Sequence, residues 1–201
     1  MRLMRRATPL ALLLAVLVQT GAQASTVSVS MVNFDFTPDP GKAKLGDTIK
    51  WTNTTATTSH TSTQDTPLAL WDSGTVGPGA SFSFTLTAAG LYPYHCIFHS
   101  SLGMTGTVGA RDRVVPISGP VGTMFTVTVA TIAAPTGFVY DVQKANPGGG
   151  FADWKIGITT MSATFDSTAQ ATGIYKFRSR LRKTSNGATS GYSPAFSITV
   201  T

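Results

Sequence analysis

The sequence predicts an all-β fold that is divided into two domains. Short stretches such as residues 125–129 and 196–200 alternate between apolar and polar side chains, which is the period-two pattern of strands with one buried face. No helical periodicity of useful length runs through the 201 residues. Prolines and glycines cluster in residues 111–120, and we expect a short linker there between domains at residues 25–110 and 121–201, each large enough for a modest core.

The N-terminal segment has the pattern of a secretory signal peptide. It contains three basic residues near its start, Arg2, Arg5 and Arg6. An apolar run over residues 9–18 follows, and Ala22-Gln23-Ala24 offers a cleavage site before Ser25. The apolar run is too short to be a transmembrane anchor. We therefore expect residues 1–24 to be removed and the protein to be secreted, or periplasmic in a bacterium.

Four residues of the first half carry the side chains that copper prefers. Cys96, His99 and Met104 follow one another so closely that one loop must deliver them, while His60 must come from a neighbouring loop. Taken singly, each has an ordinary explanation, because a lone cysteine or methionine is usually a core residue and a loop histidine is usually solvated. Together they form the set of two imidazoles, one thiolate and a weak thioether that is typical of blue copper sites.

Successive side chains of the strand that precedes this loop point to opposite faces. Tyr92, Tyr94 and Cys96 share one face, so His95 is predicted to point away from the metal as an ordinary outward-facing residue. The chain has a single cysteine, which excludes an intrachain disulfide and favours metal ligation for that thiol.

At these residues the sequence resembles the cupredoxin family. The resemblance covers roughly residues 26–109 and includes Gly46-Asp47-Thr48-Ile49-Lys50-Trp51, Gly77-Pro78-Gly79-Ala80-Ser81-Phe82, Gly90-Leu91-Tyr92-Pro93-Tyr94 and Met104-Thr105-Gly106-Thr107-Val108. It implies a Greek-key β-barrel or sandwich that holds one type 1 copper ion, with a ligand loop as long as that of plastocyanin and pseudoazurin. His60, Cys96 and His99 would be equatorial ligands and Met104 the axial one. Thr61 stands where the family commonly has an asparagine that ties the two ligand loops together.

The second half is predicted to be a β-sandwich. Residues 138–142 and 154–158 alternate, and residues 175–182 place aromatic and apolar side chains on one face and cations on the other. Gly173-Ile174-Tyr175 resembles a tyrosine corner, and Trp154 is a candidate for the core tryptophan of an immunoglobulin-like sandwich. Residues 121–201 resemble a fibronectin type III domain.

The cations of that strand form a basic ladder, which consists of Lys176, Arg178, Arg180 and Arg182. The ladder has two interpretations: a binding surface for an acidic polymer or acidic partner, or simply the solvated face of a strand. Aromatic side chains do not interleave with it, which argues against nucleic-acid binding.

The sequence thus favours one-electron transfer by an exported blue copper protein whose redox partner is not identified. Phe98, Leu102 and Gly103 are candidates for an exposed apolar patch around His99, through which the electron would leave. The alternative is a surface binding or adhesion protein whose copper domain sequesters copper or is structural. With 3 histidines in all, the chain cannot build a trinuclear oxidase cluster or a three-histidine catalytic site beside a blue site, so we expect no enzyme.

Overall fold

The computed structural model describes residues 24–39, 41–65 and 67–201. The predicted signal peptide, apart from its last residue, lies outside these ranges. The described part consists of strands and one short 3-10 helix at Ser100–Leu102, which confirms the all-β prediction. These described residues include no helix with the length and hydrophobicity of a membrane span.

The described residues of the first half form eight strands. They are β1 (Thr26–Val32), β2 (Asp35–Thr37), β3 (Gly41–Lys44), β4 (Thr48–Asn53), β5 (Thr63–Gln64), β6 (Ser81–Thr85), β7 (Gly90–His95) and β8 (Thr105–Arg111). One sheet has the order β2-β1-β4-β6 and the other the order β3-β8-β7-β5. Strands β1 and β4, like β3 and β8, run parallel, and the other neighbours are antiparallel. The two sheets therefore form the layers of a β-sandwich.

Aromatic residues fill the core of this half. Trp51, Tyr92 and Tyr94 are almost completely buried, and the ring centroids of Trp51 and Tyr94 lie 5.3 Å apart in an edge-on contact. Cys96 and Met104 belong to the same buried cluster. Because the alternation of β7 turns Tyr92, Tyr94 and Cys96 to the same side, the strand that packs the core also delivers the thiol to its end.

The second half also contains eight strands. They are β9 (Arg113–Val115), β10 (Ser118–Gly119), β11 (Met124–Thr128), β12 (Phe138–Ala145), β13 (Phe151–Ile158), β14 (Ser162–Asp166), β15 (Gly173–Lys183) and β16 (Phe196–Val200). A sheet of order β14-β11-β9 and a sheet of order β10-β16-β15-β12-β13 hold a second buried cluster that includes Phe125, Tyr140 and Phe177. The predicted alternation of β15 is present.

One predicted feature of an immunoglobulin-like sandwich is present in this half, and a second is present only in part. The hydroxyl of Tyr175 donates a hydrogen bond of 2.8 Å to the backbone oxygen of Ala171, four residues upstream, as in a tyrosine corner. Trp154 is half-buried and packs its ring against Phe165 and Phe177. The more specific likeness to fibronectin type III remains a prediction.

The segment predicted to be a linker contains strands instead. Strand β9 pairs with β11 and β10 pairs with β16, so much of 111–120 belongs to the sheets of the second half. The apolar residues of this segment explain the difference, because Val114 is buried and a free tether would expose it.

The two halves touch at the end of the first sandwich that lies away from Cys96. The backbones of Leu91 and Gly191 exchange hydrogen bonds of 2.9 and 2.8 Å, and Ala89 donates to Val129 at 2.8 Å. Since β7 runs from Gly90 to His95, these contacts lie roughly 20 Å from the thiol end of the strand. The second half therefore leaves the end that carries Cys96 uncovered.

Candidate metal centre

Three of the predicted ligands meet at one end of the first sandwich. The Sγ atom of Cys96 lies 3.9 Å from Nδ1 of His60 and 3.4 Å from Nδ1 of His99, and the two Nδ1 atoms are 3.2 Å apart. Three donors about 2.0 to 2.3 Å from a central ion in a trigonal plane would be separated by roughly 3.5 to 3.7 Å. The triangle therefore fits one metal ion, and its one thiolate and two imidazoles are the donor set that suits copper.

The first histidine is fixed by backbone pairing with a neighbouring loop. His60 and Val76 exchange backbone hydrogen bonds of 3.1 and 2.8 Å. The side-chain amide of buried Asn53 donates to the carbonyls of Thr58 and Val76, both at 2.8 Å. These bonds fix the chain segment that leads to His60. His60 is completely buried, and this burial, followed by the charge of nearby His99, lowers its pKa. Both effects favour the neutral imidazole that binds metals.

The other ligands come from a tight loop after β7. The amide of Cys96 donates to the Met104 carbonyl at 3.0 Å, and the amides of His99 and Met104 donate to Cys96 and His99 respectively, both at 3.2 Å. Gly103 ends the 3-10 helix with a φ of 87°, a conformation that favours glycine. The loop thus returns Met104, which is completely buried, to the start of β8 beside the cysteine.

Thr61 connects the two ligand loops. Its amide donates to the Cys96 sulfur at 3.3 Å, and its hydroxyl accepts a hydrogen bond of 2.9 Å from the amide of Ile97. Thr63 in turn donates to the Thr61 hydroxyl at 3.1 Å. The threonine therefore makes the connection between the loops that the family commonly makes with an asparagine.

The metal end is surrounded by exposed apolar side chains. Phe34, Ile97, Phe98 and Leu102 are 43%, 51%, 50% and 64% exposed, and we call these four the apolar rim. The ring of Phe34 lies 4.6 Å from that of His99 in an edge-on contact, and the ring of Phe98 lies 6.2 Å from it. Because His99 is only partly buried, its imidazole reaches the surface inside this rim.

Sequence reasoning found Phe98 and Leu102 but missed two members of the rim, Ile97 and Phe34. The latter belongs to the turn between β1 and β2, far from the ligand loop in sequence. One local signal is its positive φ of 66°, next to the 41° of Asn33, since such backbone conformations are uncommon outside glycine and cluster at functional sites. That signal is visible only in the structure.

His95 stays outside the metal cluster, as predicted. Its Nδ1 lies 2.6 Å from a carboxylate oxygen of Asp65 on the outer side of the sheet. The side chain of His95 is 29% exposed, which agrees with the outward direction that alternation assigns to it.

The basic ladder is largely paired within the protein. Arg182 contacts both carboxylate oxygens of Asp141, at 2.8 and 2.9 Å, and Arg180 approaches the same buried carboxylate at 3.3 Å. Arg178 donates to Gln143 and stacks between the rings of Phe151 and Tyr192. Lys176 is exposed. The three arginines thus have partners within this half of the protein. These contacts favour the interpretation of the basic ladder as the solvated face of a strand rather than as a binding surface for an acidic polymer.

The comparisons with known proteins concern the first half. Residues 23–110 match the family model of copper binding proteins of the plastocyanin/azurin family. An oxidised amicyanin mutant is 25% identical over 42% of this chain and 81% of its own, with a TM-score of 0.39. Auracyanin from the photosynthetic bacterium Roseiflexus castenholzii is 18% identical over 45% and 98%, with a TM-score of 0.38.

A copper-containing nitrite reductase from Thermus scotoductus is 22% identical over 42% of this chain but only 22% of its own, with a TM-score of 0.39. No curated protein sequence matches the chain. The family model spans both ligand loops, and His60, Cys96 and His99 are positioned to form a copper site. Residues 23–110 therefore form a copper-binding cupredoxin domain of the plastocyanin/azurin family.

Proposed function

We propose that this protein carries out one-electron transfer through a type 1 copper ion held by His60, Cys96 and His99, with Met104 as the weak axial ligand. Copper, when bound, supplies the change between its two oxidation states. The observation that supports the proposal best is the placement of His99, whose ring joins the buried donor triangle and reaches the surface within the apolar rim.

The residues around the donors would keep the site rigid. The donors would be held in place by the hydrogen bonds of Thr61 and Asn53 and by the backbone hydrogen bond between Met104 and His99. None of these bonds involves the metal, so they would remain when the charge at the site changes. Cys96 and His60 are inaccessible to water, so little solvent has to reorganise when an electron arrives or leaves. Rigid ligands and a dry interior are the features that a rapid electron carrier needs.

The apolar rim supports docking to a redox partner. Exposed apolar side chains allow two proteins to approach closely without removing water from charged groups.

We further propose that residues 25–110 and 121–201 are two domains and that the protein is exported. The separate buried clusters of the two halves support the division, although residues 111–120 contribute strands to the second half. The basic start, apolar run and Ala-Gln-Ala sequence of the first 24 residues support export.

Voltammetry and self-exchange measurements test the electron-transfer role. The copper-loaded protein should give a reversible one-electron couple, and nuclear magnetic resonance lines of mixed oxidised and reduced samples should broaden through rapid exchange. Tight copper binding without a reversible couple would contradict the proposal and favour copper sequestration or a structural copper domain in an adhesion protein.

A further inference from the structure

A cavity of about 140 Å³ lies where the two halves meet, and we call it the junction pocket. It is lined by Lys44, Leu45, Arg111, Asp112, Arg113 and Phe196. Leu45 and Phe196 are apolar, and the guanidinium carbon of Arg111 lies 5.1 Å from the centroid of the Phe196 ring. The pocket therefore combines an apolar wall with three cationic side chains at its edge.

The three cations have no carboxylate partner within ion-pair distance among the described residues. Lys44 and Arg111 lie directly opposite each other where β3 pairs with β8, and like charges in that position repel. Burial opposes a lowered pKa for Asp47, but hydrogen bonds from the backbone amides of Lys44 and Ser25 lower it, and the charge of Lys44 contributes to this lowering. The charge of Asp47 thus acts on Lys44, and Arg111 and Arg113 make no ion pair among the described residues.

The carboxyl group that lines the pocket does not neutralise these cations either. Asp112 is 1% exposed and turns inward, where the hydroxyls of Ser179 and Ser193 donate to its Oδ1 atom. Its burial raises its pKa to about 7, so that near neutral pH it carries only part of a negative charge. The net charge around the pocket is therefore positive.

The copper site does not account for this arrangement. Arg111 ends β8, whereas the ligand loop joins the other end of the same strand at Thr105. Seven residues of extended chain separate these ends by roughly 20 Å. Small-molecule sites favour concave, mostly apolar pockets at domain boundaries that carry a few polar groups, and arginine is well suited to carboxylate and phosphate groups.

We propose that the junction pocket binds a small organic anion, in which a carboxylate or phosphate group is attached to a compact apolar body. The acidic group contacts the cationic side chains of Lys44, Arg111 and Arg113. The apolar body packs against Leu45 and Phe196. An anion in this position relieves the repulsion between Lys44 and Arg111 and joins strands of both halves.

The test uses the full, copper-loaded and reduced chain, whose amide resonances are followed while benzoate or phenyl phosphate is added. The two probes share an aromatic body and distinguish carboxylate from phosphate recognition, and benzamide is the uncharged control. We expect saturable shifts around residues 44–45, 111–113 and 196 for at least one anion. Arg111→Gln should weaken this binding by about tenfold or more, and Arg111→Lys should weaken it less.

Lys50→Gln is the matched control, because Lys50 is an exposed lysine on β4 outside the pocket. It removes the same charge from the protein and should leave the affinity unchanged. Absence of saturable binding for both anions, equal binding of benzamide, or equal weakening by Arg111→Gln and Lys50→Gln would each overturn the proposal. Thermal melting of each variant verifies that it is folded.

Discussion

The hydroxyl of Thr61 accepts a hydrogen bond of 2.9 Å from the amide of Ile97, the residue that follows Cys96. The amide of the same threonine donates to the Cys96 sulfur at 3.3 Å. One residue next to His60 thus fixes the thiol and the start of the loop that carries His99. Because both contacts span about 35 positions in the sequence, the threonine holds the two ligand loops at a constant separation.

Thr61→Val should loosen the copper site without removing any ligand. Valine has nearly the same shape as threonine but leaves the Ile97 amide without its partner, and an unpaired buried donor costs about 1–3 kcal/mol. We expect lower thermal stability and faster copper loss to a chelator. Thr61→Ser keeps the hydroxyl and should behave much more like the wild type; equal copper-loss rates for wild type and Thr61→Val would refute the assigned role.

Met104→Leu should keep the colour of the copper protein and raise its reduction potential. The thioether is a weak donor that stabilises the oxidised ion more than the reduced one, and leucine removes it at similar volume. A tenfold change in the ratio of the affinities for the oxidised and the reduced ion corresponds to about 59 mV for a one-electron couple. We expect a shift of at least this order. Voltammetry measures it. An unchanged or lower potential would show that Met104 is not the axial ligand.

Phe98→Glu should slow electron exchange while leaving the absorption spectrum nearly unchanged. A carboxylate in the apolar rim must lose water or repel its counterpart when two copies approach, so self-exchange should fall by about tenfold or more. Line broadening in nuclear magnetic resonance spectra of mixed oxidised and reduced samples gives the self-exchange rate at low and high salt. Ile174→Glu is the control, since Ile174 is a similarly exposed apolar residue in the second half. Equal slowing by both variants would contradict docking at the rim.

Asp112 should make the protein less stable as the pH rises from about 4 to about 7. Burial raises its pKa from 3.8 to about 7 in the folded state, so the folded protein keeps the proton that the unfolded chain releases. The stabilising contribution of Asp112 is therefore fully present below pH 4, is lost through this window and levels off above it; it amounts to on the order of 4 kcal/mol at about 1.4 kcal/mol per pKa unit.

Asp112→Asn isolates this effect because asparagine is uncharged at every pH. Denaturant unfolding should show similar stability for the two proteins near pH 4 and a more stable variant near pH 8. A difference between variant and wild type that does not grow with pH would mean that Asp112 is not neutral in the folded protein.

The parts of the structure that depend on local sequence could be predicted. The spacing of Cys96, His99 and Met104 confines them to one loop, and alternation alone places His95 outside the cluster. The pairing of Arg180 and Arg182 with Asp141 could not be read in the same way, because it joins residues about 40 positions apart. The same holds for the contact of Phe34 with His99. The linker was predicted from prolines and glycines. In the structure, the segment instead forms strands of the second half, because its valines pack there.

The visible absorption spectrum of the copper-loaded protein tests the central claim most directly. If the Cys96 thiolate binds Cu(II) together with His60 and His99, the oxidised protein should be intensely blue through charge transfer from sulfur to copper, and reduction should bleach it. Cys96→Ser replaces the soft thiolate with a hydroxyl and should abolish the band. An oxidised wild type without intense visible absorption, or a Cys96→Ser variant that keeps the band, would contradict the account.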